Sequence, residues 1–348
     1  MPKICFAIPT WNRAAKLRRC VDSIAQQILS TQVDAAIYIS DNCSDDETPQ
    51  VTKELANQYP FVTFARRTEH GGVFDNLSDV TEHAKGDYIW WFGDDDELLP
   101  GGLQKVVEHL GDDSVAYLSA GNGWFKPHSG KVAAGKLLDL CNHMGWNQVI
   151  GWITGDLLRQ DVAQKVCHLL RQEPYKLDAY AHVGAVLTVA GELNALHIDY
   201  PIVQPVEQQK AVDIERWAKE NIGWRYFLLI NSFKHMYEQK ILTRKFKPKF
   251  FKYLNYYLWD RFISNMIASS VKQDGGFPDT GWDTILLMAE MVDDADVRKS
   301  IRTRCVAARN MCSNRKVLLA QLKQTDEALS VLINETNRPV LPLGTMAS

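Results

Sequence analysis

The chain has 348 residues, of which 46% are hydrophobic and 23% are charged. This composition is typical of a globular protein with an ample apolar core, and it excludes a disordered, collagen-like or coiled-coil protein. The 39 basic and 42 acidic residues give a formal net charge of −3, so no basic excess favours nucleic acid as a partner.

The first 120 residues alternate short apolar runs with helical patterns. Continuous apolar strands separated by helices indicate a mainly parallel sheet that is covered on both faces. Ser44 and Glu47 have the spacing of a capping box that opens the second helix, and Pro100 suits the first turn of the fourth helix. The pattern predicts strands at Ile4–Pro9, Ala35–Ser40, Phe61–Arg66, Tyr88–Phe92 and Val115–Ser119, and helices at 13–27, 49–58, 72–84 and 101–110.

The second part of the chain is less regular. It predicts strands near Trp152 and at 195–200, helices at 156–171 and 178–190, and a helical pattern from residue 207 onward. Between Lys234 and Arg261, eight Lys and Arg residues alternate with aromatic residues. Two interpretations stay open: this stretch binds anionic lipid, or its aromatic residues pack against the rest of the protein.

The seven cysteines are scattered and form no C-x-x-C pair, which predicts reduced thiols in a cytoplasmic protein without a structural zinc site. No stretch approaches 18 consecutive apolar residues, so we expect no membrane-spanning helix. The apolar run that starts at Ile4 is too short for a signal peptide and predicts a buried first strand.

Polar and acidic residues follow the predicted strands where each strand ends. In an open parallel sheet, ligands bind beyond the carboxyl ends of the strands. Three consecutive carboxylates, Asp94 to Asp96, follow the buried strand at Tyr88–Phe92, and such neighbours repel one another in a low-dielectric setting. A divalent cation such as Mg²⁺ or Mn²⁺ relieves that repulsion, and a solvated acidic turn is the alternative.

Other nucleotide-binding and catalytic motifs are absent or incomplete. No glycine follows the first strand, which argues against a dinucleotide-binding turn. Residues Gly130–Lys136 match most of a phosphate-binding loop, but Leu137 stands where Ser or Thr would hold magnesium. Neither H-E-x-x-H nor G-x-S-x-G occurs in the chain.

Four segments carry a resemblance to a known family: ICFAIPTWNR, the helix at Leu17–Gln27, ISDNCSDDET and YIWWFGDDDELLP. In their order and content they resemble the family 2 glycosyltransferases of GT-A fold, nearest in motif style to abequosyltransferase-like O-antigen and capsule enzymes. The resemblance implies an α/β fold, with a Rossmann-like, mainly parallel sheet flanked by helices. It divides the chain into a catalytic domain at 1–206 (a nucleotide-sugar-binding half at 1–120 and an acceptor half at 121–206), a helical region at 207–338 and a flexible tail at 339–348.

The resemblance also implies roles for particular residues. The loop after the first strand matches the one that lines the nucleotide, Asp41 matches the carboxylate that hydrogen-bonds the base, and the acidic run matches the D-x-D motif for metal and ribose. The expected nucleotide-sugar-binding residues are Pro9, Thr10, Asn12, Arg13, Asp41, Asn42, Asn76, Asp94 and Asp95, and the expected ligands of Mn²⁺ or Mg²⁺ are Asp95 and Asp96. One alignment puts Gly93 where the family has its first aspartate, and another makes Asp94 and Asp96 the pair. Asn76 and Asp75 also fit a helix cap.

Members of this family invert the configuration of the transferred sugar, which needs a general base opposite the leaving diphosphate. Asp178 is the first candidate for that base and His182 the second, because the family supplies an aspartate near the start of a helix in this part of the chain. The two lie four residues apart, so a helix that contains both would place them on one face. A helix cap at Asp178 and a core histidine at His182 are the alternatives.

The resemblance therefore implies an enzyme that moves a sugar from a nucleotide-diphosphate donor, expected to be UDP-linked, to a hydroxyl of a glycan or polyprenyl-linked acceptor. The enzyme would act in the cytoplasm, with peripheral contact at the inner face of the membrane. Its pathway would be bacterial surface polysaccharide synthesis. Two alternatives stay open: a nucleotidyltransferase acting on sugar phosphates, and a non-catalytic nucleotide-sugar-binding subunit. The sequence leaves open the sugar, the linkage and whether the chain forms a homo-oligomer.

Overall fold

The computed structural model describes residues 2–110, 114–121, 129–172, 175, 180–205, 232–240, 246–253, 256–257 and 279–322. Its centre is an eight-stranded sheet with the strand order β3-β2-β1-β4-β8-β6-β9-β7. These strands are β1 (Ile4–Thr10), β2 (Ala35–Asp41), β3 (Val62–Arg66), β4 (Tyr88–Trp91), β6 (Tyr117–Ser119), β7 (Val132–Lys136), β8 (Asp156–Arg159) and β9 (Asn194–Ile198). Two short strands, β5 (Asp96–Leu98) and β10 (Val203–Pro205), pair in a separate antiparallel ribbon.

The direction of the strands confirms the predicted, mainly parallel sheet. The first four strands are all parallel, and β6 and β9 run the same way as one another. β8 lies between β4 and β6 and runs antiparallel to both, and β7 is antiparallel to β9 at the edge. The carboxyl ends of β1, β2 and β4 therefore meet at one edge of the sheet.

Helices cover both faces of the sheet. Alternate residues of β1 point to opposite faces: Phe6 and Ile8 pack with α1 in one apolar cluster, and Cys5 and Ala7 pack with α3 in the other. The helices are α1 (Ala14–Ser30), α2 (Thr48–Gln58), α3 (Val73–His83), α4 (Gly102–Glu108), α5 (Leu137–Met144), α6 (Trp146–Ile150), α7 (Gln160–Leu170), α8 (Ala181–Ala190), α9 (Asp279–Met291) and α10 (Ala295–Leu322), with a further helical stretch at 232–238.

Some local predictions were wrong. Trp152 precedes a short 3₁₀ turn, and the strand comes after it at 156–159, where the sequence predicted the start of a helix; α7 begins at Gln160. Pro100 lies just ahead of α4 instead of inside its first turn. Residues 132–136 of the apparent phosphate loop form the edge strand β7.

The part of the C-terminal region that the structure describes packs onto the sheet domain. Phe233, Phe246 and Phe250 are buried together, with ring centroids of Phe246 and Phe250 4.2 Å apart. The backbone N–H of Lys247 donates to Asn142 of α5 at 2.8 Å. Besides helices, this region contains a 3₁₀ turn at Pro248–Phe251 and a two-stranded ribbon of β11 (Lys252–Tyr253) and β12 (Tyr256–Tyr257). Residues 207–231 and the predicted tail at 339–348 lie outside the described residues.

Within the described ranges, no helix is both long and apolar enough to cross a membrane. The six cysteines whose side chains are described, at positions 5, 20, 43, 141, 167 and 305, are all free thiols.

Candidate functional site

The loops that follow β1 and β2 are locked to each other by a reciprocal pair of hydrogen bonds. Asn12 Nδ2 donates to Asp45 Oδ1 at 2.6 Å, and the N–H of Asp45 donates to Asn12 Oδ1 at 2.9 Å. The N–H of Asn12 also donates to Ser44 Oγ at 2.9 Å. Asn12 and Cys43 both have positive φ angles, which turn each loop back across the sheet edge. Asn12 thus fixes the loop that was predicted to line the nucleotide.

The second loop also caps the helix that follows the first strand. Thr48 Oγ1 accepts the N–H of Arg13 at 3.0 Å, and Asp46 Oδ2 accepts the N–H of Ala14 at 3.3 Å. Desolvation raises the pKa of Asp46, but hydrogen bonds from Thr48 and Ala14 outweigh it and hold the pKa below its usual value. The predicted capping box at Ser44 does not form, because the Ser44 hydroxyl faces Asn12 and α2 begins at Thr48.

Asp94 is the buried member of the acidic turn. Its Oδ2 accepts a hydrogen bond of 2.7 Å from the Thr10 hydroxyl, and its Oδ1 accepts one of 2.8 Å from Arg13 Nη1. Burial raises the pKa of Asp94, while the charge of Arg13 lowers it. Both oxygens of this carboxylate are therefore held in place by residues of the first loop and the start of α1.

Asp95 is the more accessible member of the turn. Its Oδ2 lies 2.8 Å from Arg13 Nη1 and 3.5 Å from Lys16 Nζ. The side chain of Asp95 is 24% exposed, compared with 6% for that of Asp94. Two carboxylates and two basic groups thus meet at the edge of the sheet, and Asp95 presents the more open oxygen.

Asp96 faces away from that group. Its Oδ2 accepts a short hydrogen bond from the Thr154 hydroxyl, and its backbone pairs with β10. The Thr154 hydroxyl also accepts the N–H of Gly93 at 3.0 Å. A Cβ atom at Gly93 would lie 2.8 Å from Thr154 Oγ1 and 2.9 Å from Asp96 Oδ2, closer than Cβ atoms approach. A side chain at position 93, where one alignment expects an aspartate, would therefore have to displace the Thr154 hydroxyl or the Asp96 carboxylate.

Asp41 lies at the end of β2 and is almost fully buried. Its Oδ1 accepts the N–H of Ser44 at 3.0 Å, and its Oδ2 lies 3.3 Å from Arg66 Nε but accepts no hydrogen bond. Arg66 also donates to the carbonyl of Ser44 at 2.7 Å. Asp41, the carboxylate expected to contact the base, thus has one oxygen that accepts no hydrogen bond. This oxygen lies close to the exposed guanidinium of Arg66.

Asn42 and Asn76 direct their amides to the protein itself. Asn42 donates to the carbonyl of Gly71 at 2.8 Å and accepts the N–H of Gly71 at 2.9 Å. Asn76 accepts the Ser40 hydroxyl at 2.6 Å and donates to the Ser40 carbonyl at 3.1 Å. Both amides hold backbone at the sheet edge. Asp75, the other residue considered there, accepts the N–H of Gly72 at the start of α3, as a helix cap does.

Trp11 forms the exposed rim of the first loop. Its side chain is 48% exposed, and its ring centroid lies 4.4 Å from that of His70. His70 Nδ1 lies 3.2 Å from the carbonyl of Asn42, which fixes the imidazole against the loop after β2. The pair presents an aromatic surface beside Thr10 that the sequence analysis missed.

Of the two candidate bases, the structure describes only His182. Asp178 lies outside the described residues. His182 is buried on α8, where its ring is stacked with that of Phe74 and tilted against that of Tyr180, and neither ring nitrogen makes a hydrogen bond. Burial lowers the pKa of His182 to about 3, against a smaller raising effect from the backbone of Ile150. These surroundings are those of a neutral core histidine.

The acidic turn fits a divalent cation whose remaining ligands come from a substrate. Among the described residues, no group of three or more His, Cys, Asp or Glu side chains converges as a complete protein site. Mg²⁺ is commonly bound by one or two carboxylates together with substrate phosphates. Asp94 and Asp95 supply carboxylate oxygens, which hard cations prefer as ligands, and Arg13 contacts these oxygens in the structure.

Comparison with known proteins assigns this part of the chain. Residues 5–144, about two fifths of the chain, match the family model described as glycosyl transferase family 2. This segment is a family 2 glycosyltransferase domain. It contains the loops after β1 and β2 and the acidic turn, so the family assignment rests on the stretch that builds the candidate site.

Curated relatives match about a third of the chain. The abequosyltransferase of Salmonella typhimurium is 34% identical over 116 residues, which cover 33% of this chain and 34% of that protein. A GalNAc(5)-diNAcBac-PP-undecaprenol beta-1,3-glucosyltransferase of Campylobacter jejuni is 30% identical over 109 residues, which cover 31% of this chain and 34% of that protein. The chain thus matches about a third of the length of these two glycosyltransferases.

Solved structures extend the likeness in fold. The first 349 residues of TarS from S. aureus, in complex with UDP-GlcNAc, superpose with a TM-score of 0.59 at 14% identity, over 91% of this chain and 92% of that one. A mannosyltransferase from Pyrobaculum calidifontis, in complex with GDP-Man and Mn²⁺, gives a TM-score of 0.50 at 15% identity, over 89% and 87% of the two chains. At these identities the likeness shows the GT-A fold of the family 2 glycosyltransferases.

Proposed function

We propose that this protein is a metal-dependent, inverting glycosyltransferase that takes a sugar from a UDP-linked donor. The observation that carries the proposal is the convergence of Thr10, Arg13, Asp94 and Asp95 at the carboxyl edge of β1 and β4. That edge is where nucleotides bind in open α/β sheets. The proposal is supported by the family 2 match, which contains all four residues.

The proposed donor lies across the loops after β1 and β2. The exposed ring of Trp11 stacks on the base, and Asp41 Oδ2, which accepts no hydrogen bond, contacts a donor group of the base once the Arg66 guanidinium beside it moves aside. Arg13 and Lys16 supply positive charge for the diphosphate. Asn12, Asn42 and Asn76 keep these groups in place by the hydrogen bonds that they make within the protein.

Asp95, supported by Asp94, would hold Mn²⁺ or Mg²⁺. A cation bound there neutralises the charge that grows on the diphosphate as the glycosidic bond breaks. Asp96 has a different part in this proposal: through Thr154 it fixes the turn that presents the other two carboxylates.

Inversion needs a base on the face of the sugar opposite the diphosphate. We assign that role to Asp178, because His182 lies in an apolar environment that disfavours its protonated form. In the proposed reaction, the acceptor hydroxyl loses its proton to the Asp178 carboxylate, its oxygen attacks the anomeric carbon, and the nucleoside diphosphate leaves with the bonding electrons.

The proposed acceptor is a hydroxyl of a growing glycan or of a polyprenyl-linked oligosaccharide, used in surface polysaccharide synthesis at the cytoplasmic face of the membrane. The names of the two relatives, an abequosyltransferase and a glucosyltransferase acting on an undecaprenol-linked glycan, support this context. Phe233, Phe246 and Phe250 are buried within the protein, so any lipid contact in this region would come from the exposed lysines or from residues outside the described ones.

The test is binding and turnover with a panel of UDP-, GDP-, CDP- and dTDP-sugars. We expect a thermal shift with one donor class that requires Mn²⁺ or Mg²⁺, together with slow hydrolysis of that donor. We also expect Asp178→Asn to abolish transfer while donor binding is retained. Binding without turnover, with any acceptor, would favour a binding subunit; release of pyrophosphate from a nucleoside triphosphate and a sugar phosphate would favour a nucleotidyltransferase.

A further inference from the structure

One guanidinium nitrogen bridges the two carboxylates of the proposed cation site. Arg13 Nη1 lies 2.8 Å from Asp94 Oδ1 and 2.8 Å from Asp95 Oδ2. Lys16 Nζ lies 3.5 Å from the same oxygen of Asp95. Two negative charges are thus matched by two positive charges from the first turn of α1, and the carboxylates are neutralised by the protein itself.

The four groups differ in their freedom to move. Asp94 is held on its other oxygen by Thr10, and its side chain is almost fully buried. The backbone of Arg13 is tied to Thr48, but its side chain is 40% exposed. The guanidinium can therefore turn towards solvent while its backbone and the Asp94 carboxylate stay in place.

A divalent cation and Arg13 compete for the same oxygens. A metal ion at Asp94 Oδ1 and Asp95 Oδ2 would sit against a like charge that already hydrogen-bonds these atoms, and like charges at such distances repel strongly in a partly buried setting. Metal binding must therefore include displacement of the guanidinium. The displaced side chain keeps its charge and needs an anionic partner close by.

We propose that Arg13 is an internal counter-ion of the metal site, which the cation displaces and the donor diphosphate then binds. This inference rests on the proposed function, since it takes the diphosphate as the second partner of Arg13. Without donor, the metal must break the Arg13 contacts and is bound weakly. With donor, the released guanidinium gains a bidentate anionic partner. Metal and donor therefore strengthen each other's binding, by the same factor in both directions.

The test measures Mn²⁺ binding to the full chain, first alone and then with UDP, by electron paramagnetic resonance or calorimetry. We expect Arg13→Gln to bind Mn²⁺ alone about tenfold more tightly than the wild type, equivalent to about 1.4 kcal/mol. We also expect UDP to improve Mn²⁺ affinity in the wild type and to improve it much less in Arg13→Gln. Arg18→Gln removes one positive charge from the same helix, at a residue that pairs with Glu54, and serves as the matched control with unchanged Mn²⁺ affinity.

Equal or weaker Mn²⁺ binding in Arg13→Gln than in the wild type, with a normal melting temperature, would overturn the inference. If Arg13→Gln does not fold, Arg13→Met takes its place, and the same comparison applies because this unbranched side chain also lacks the positive charge that contacts both carboxylates. Failure of the proposed function gives a different result: Asp95→Asn would then bind Mn²⁺ as well as the wild type does, and no nucleotide would alter that binding.

Discussion

The hydroxyl of Thr10, at the last position of β1, donates a 2.7 Å hydrogen bond to the buried carboxylate of Asp94, which follows β4. β1 and β4 are neighbours in the sheet, so this bond fixes the acidic turn to the strand beside it. The other oxygen of Asp94 is held by Arg13. The orientation of Asp94 is therefore determined by the first loop of the chain.

Thr10→Val tests this relationship, because it keeps the shape of the side chain and removes the donor. The change leaves a buried carboxylate oxygen without its partner, so we expect the free energy of unfolding to fall by about 1–3 kcal/mol and the donor KM to rise several-fold. Urea unfolding and initial rates measure the two effects. Thr52→Val is the control: it removes a buried hydroxyl that donates to the Thr48 carbonyl within α2 instead of to a carboxylate. Equal losses in both variants would refute a special role for Thr10.

Asp95→Asn separates catalysis from stability. The Asp95 carboxylate is partly exposed and pairs with basic groups at the surface, and such pairs contribute little to stability. We expect transfer to fall at least about 100-fold, because a charge that faces the leaving group is lost, while the melting temperature changes by no more than about 2 °C. Glu97→Gln, which changes an exposed carboxylate two residues further on, should keep its activity. Turnover of Asp95→Asn near the wild-type rate would remove Asp95 from the mechanism.

Asp156→Asn tests whether the buried side chain of Asp156 is protonated in the folded protein. The Tyr117 hydroxyl contacts both the Val149 carbonyl and Asp156 Oδ1, but it has a single proton to donate. Both contacts become hydrogen bonds if Asp156 carries a proton and donates it to Tyr117. Burial also favours the protonated form, because it raises the pKa of Asp156 well above its usual value.

The sign of the pH effect follows from this raised pKa. The folded protein holds the proton on Asp156 more tightly than the unfolded chain does. The stability that this proton contributes is therefore complete below the ordinary pKa of about 4, and it is lost as pH rises towards the raised pKa of the folded protein. Asparagine does not titrate. We therefore expect Asp156→Asn to gain stability relative to the wild type as pH rises above about 4, as measured by melting curves. Parallel curves for the two proteins would show that Asp156 is not protonated in the native state.

His182→Leu distinguishes a core histidine from a catalytic base. The imidazole is buried without a hydrogen bond, and an apolar side chain of similar volume removes two buried nitrogens that have no partner. We expect the melting temperature to stay equal or to rise, and kcat to stay within about threefold of the wild type. A loss of kcat by two orders of magnitude or more, with the fold intact, would move the base from Asp178 to His182.

The parallel half of the fold could be predicted because its signals are local. Each strand from β1 to β4 is a short apolar run, and each helix between them has its own period. β8 could not be found in this way. Its four residues, Asp156–Arg159, continue directly into α7, and its antiparallel position between β4 and β6 depends on pairing with strands far away in the sequence. A short strand whose position depends on long-range pairing gives little signal in the hydrophobic periodicity of the sequence.

The candidate site, like the fold, could be predicted only in part. Strand ends predicted which loops meet, and the structure brings Thr10, Arg13, Asp94 and Asp95 together. The local pattern could not predict which carboxylates of the run share a face, because the orientation of Asp96 is set by Thr154, 58 residues away. The same distant hydroxyl lies only 2.8 Å from where a Cβ atom at position 93 would be. The capping box at Ser44 failed for a similar reason, since Asn12 of another loop takes its hydroxyl.

The reversed strand β8 also limits how this protein can be recombined with others. The segment that matches the family ends at residue 144, before β8 and before Thr154. A chimera that joins this segment to a foreign C-terminal part without such a strand would leave the side of β4 open, with unpaired amide and carbonyl groups that invite aggregation. A graft onto this segment therefore requires its own antiparallel strand, in register with β4, and a hydroxyl that reaches Gly93.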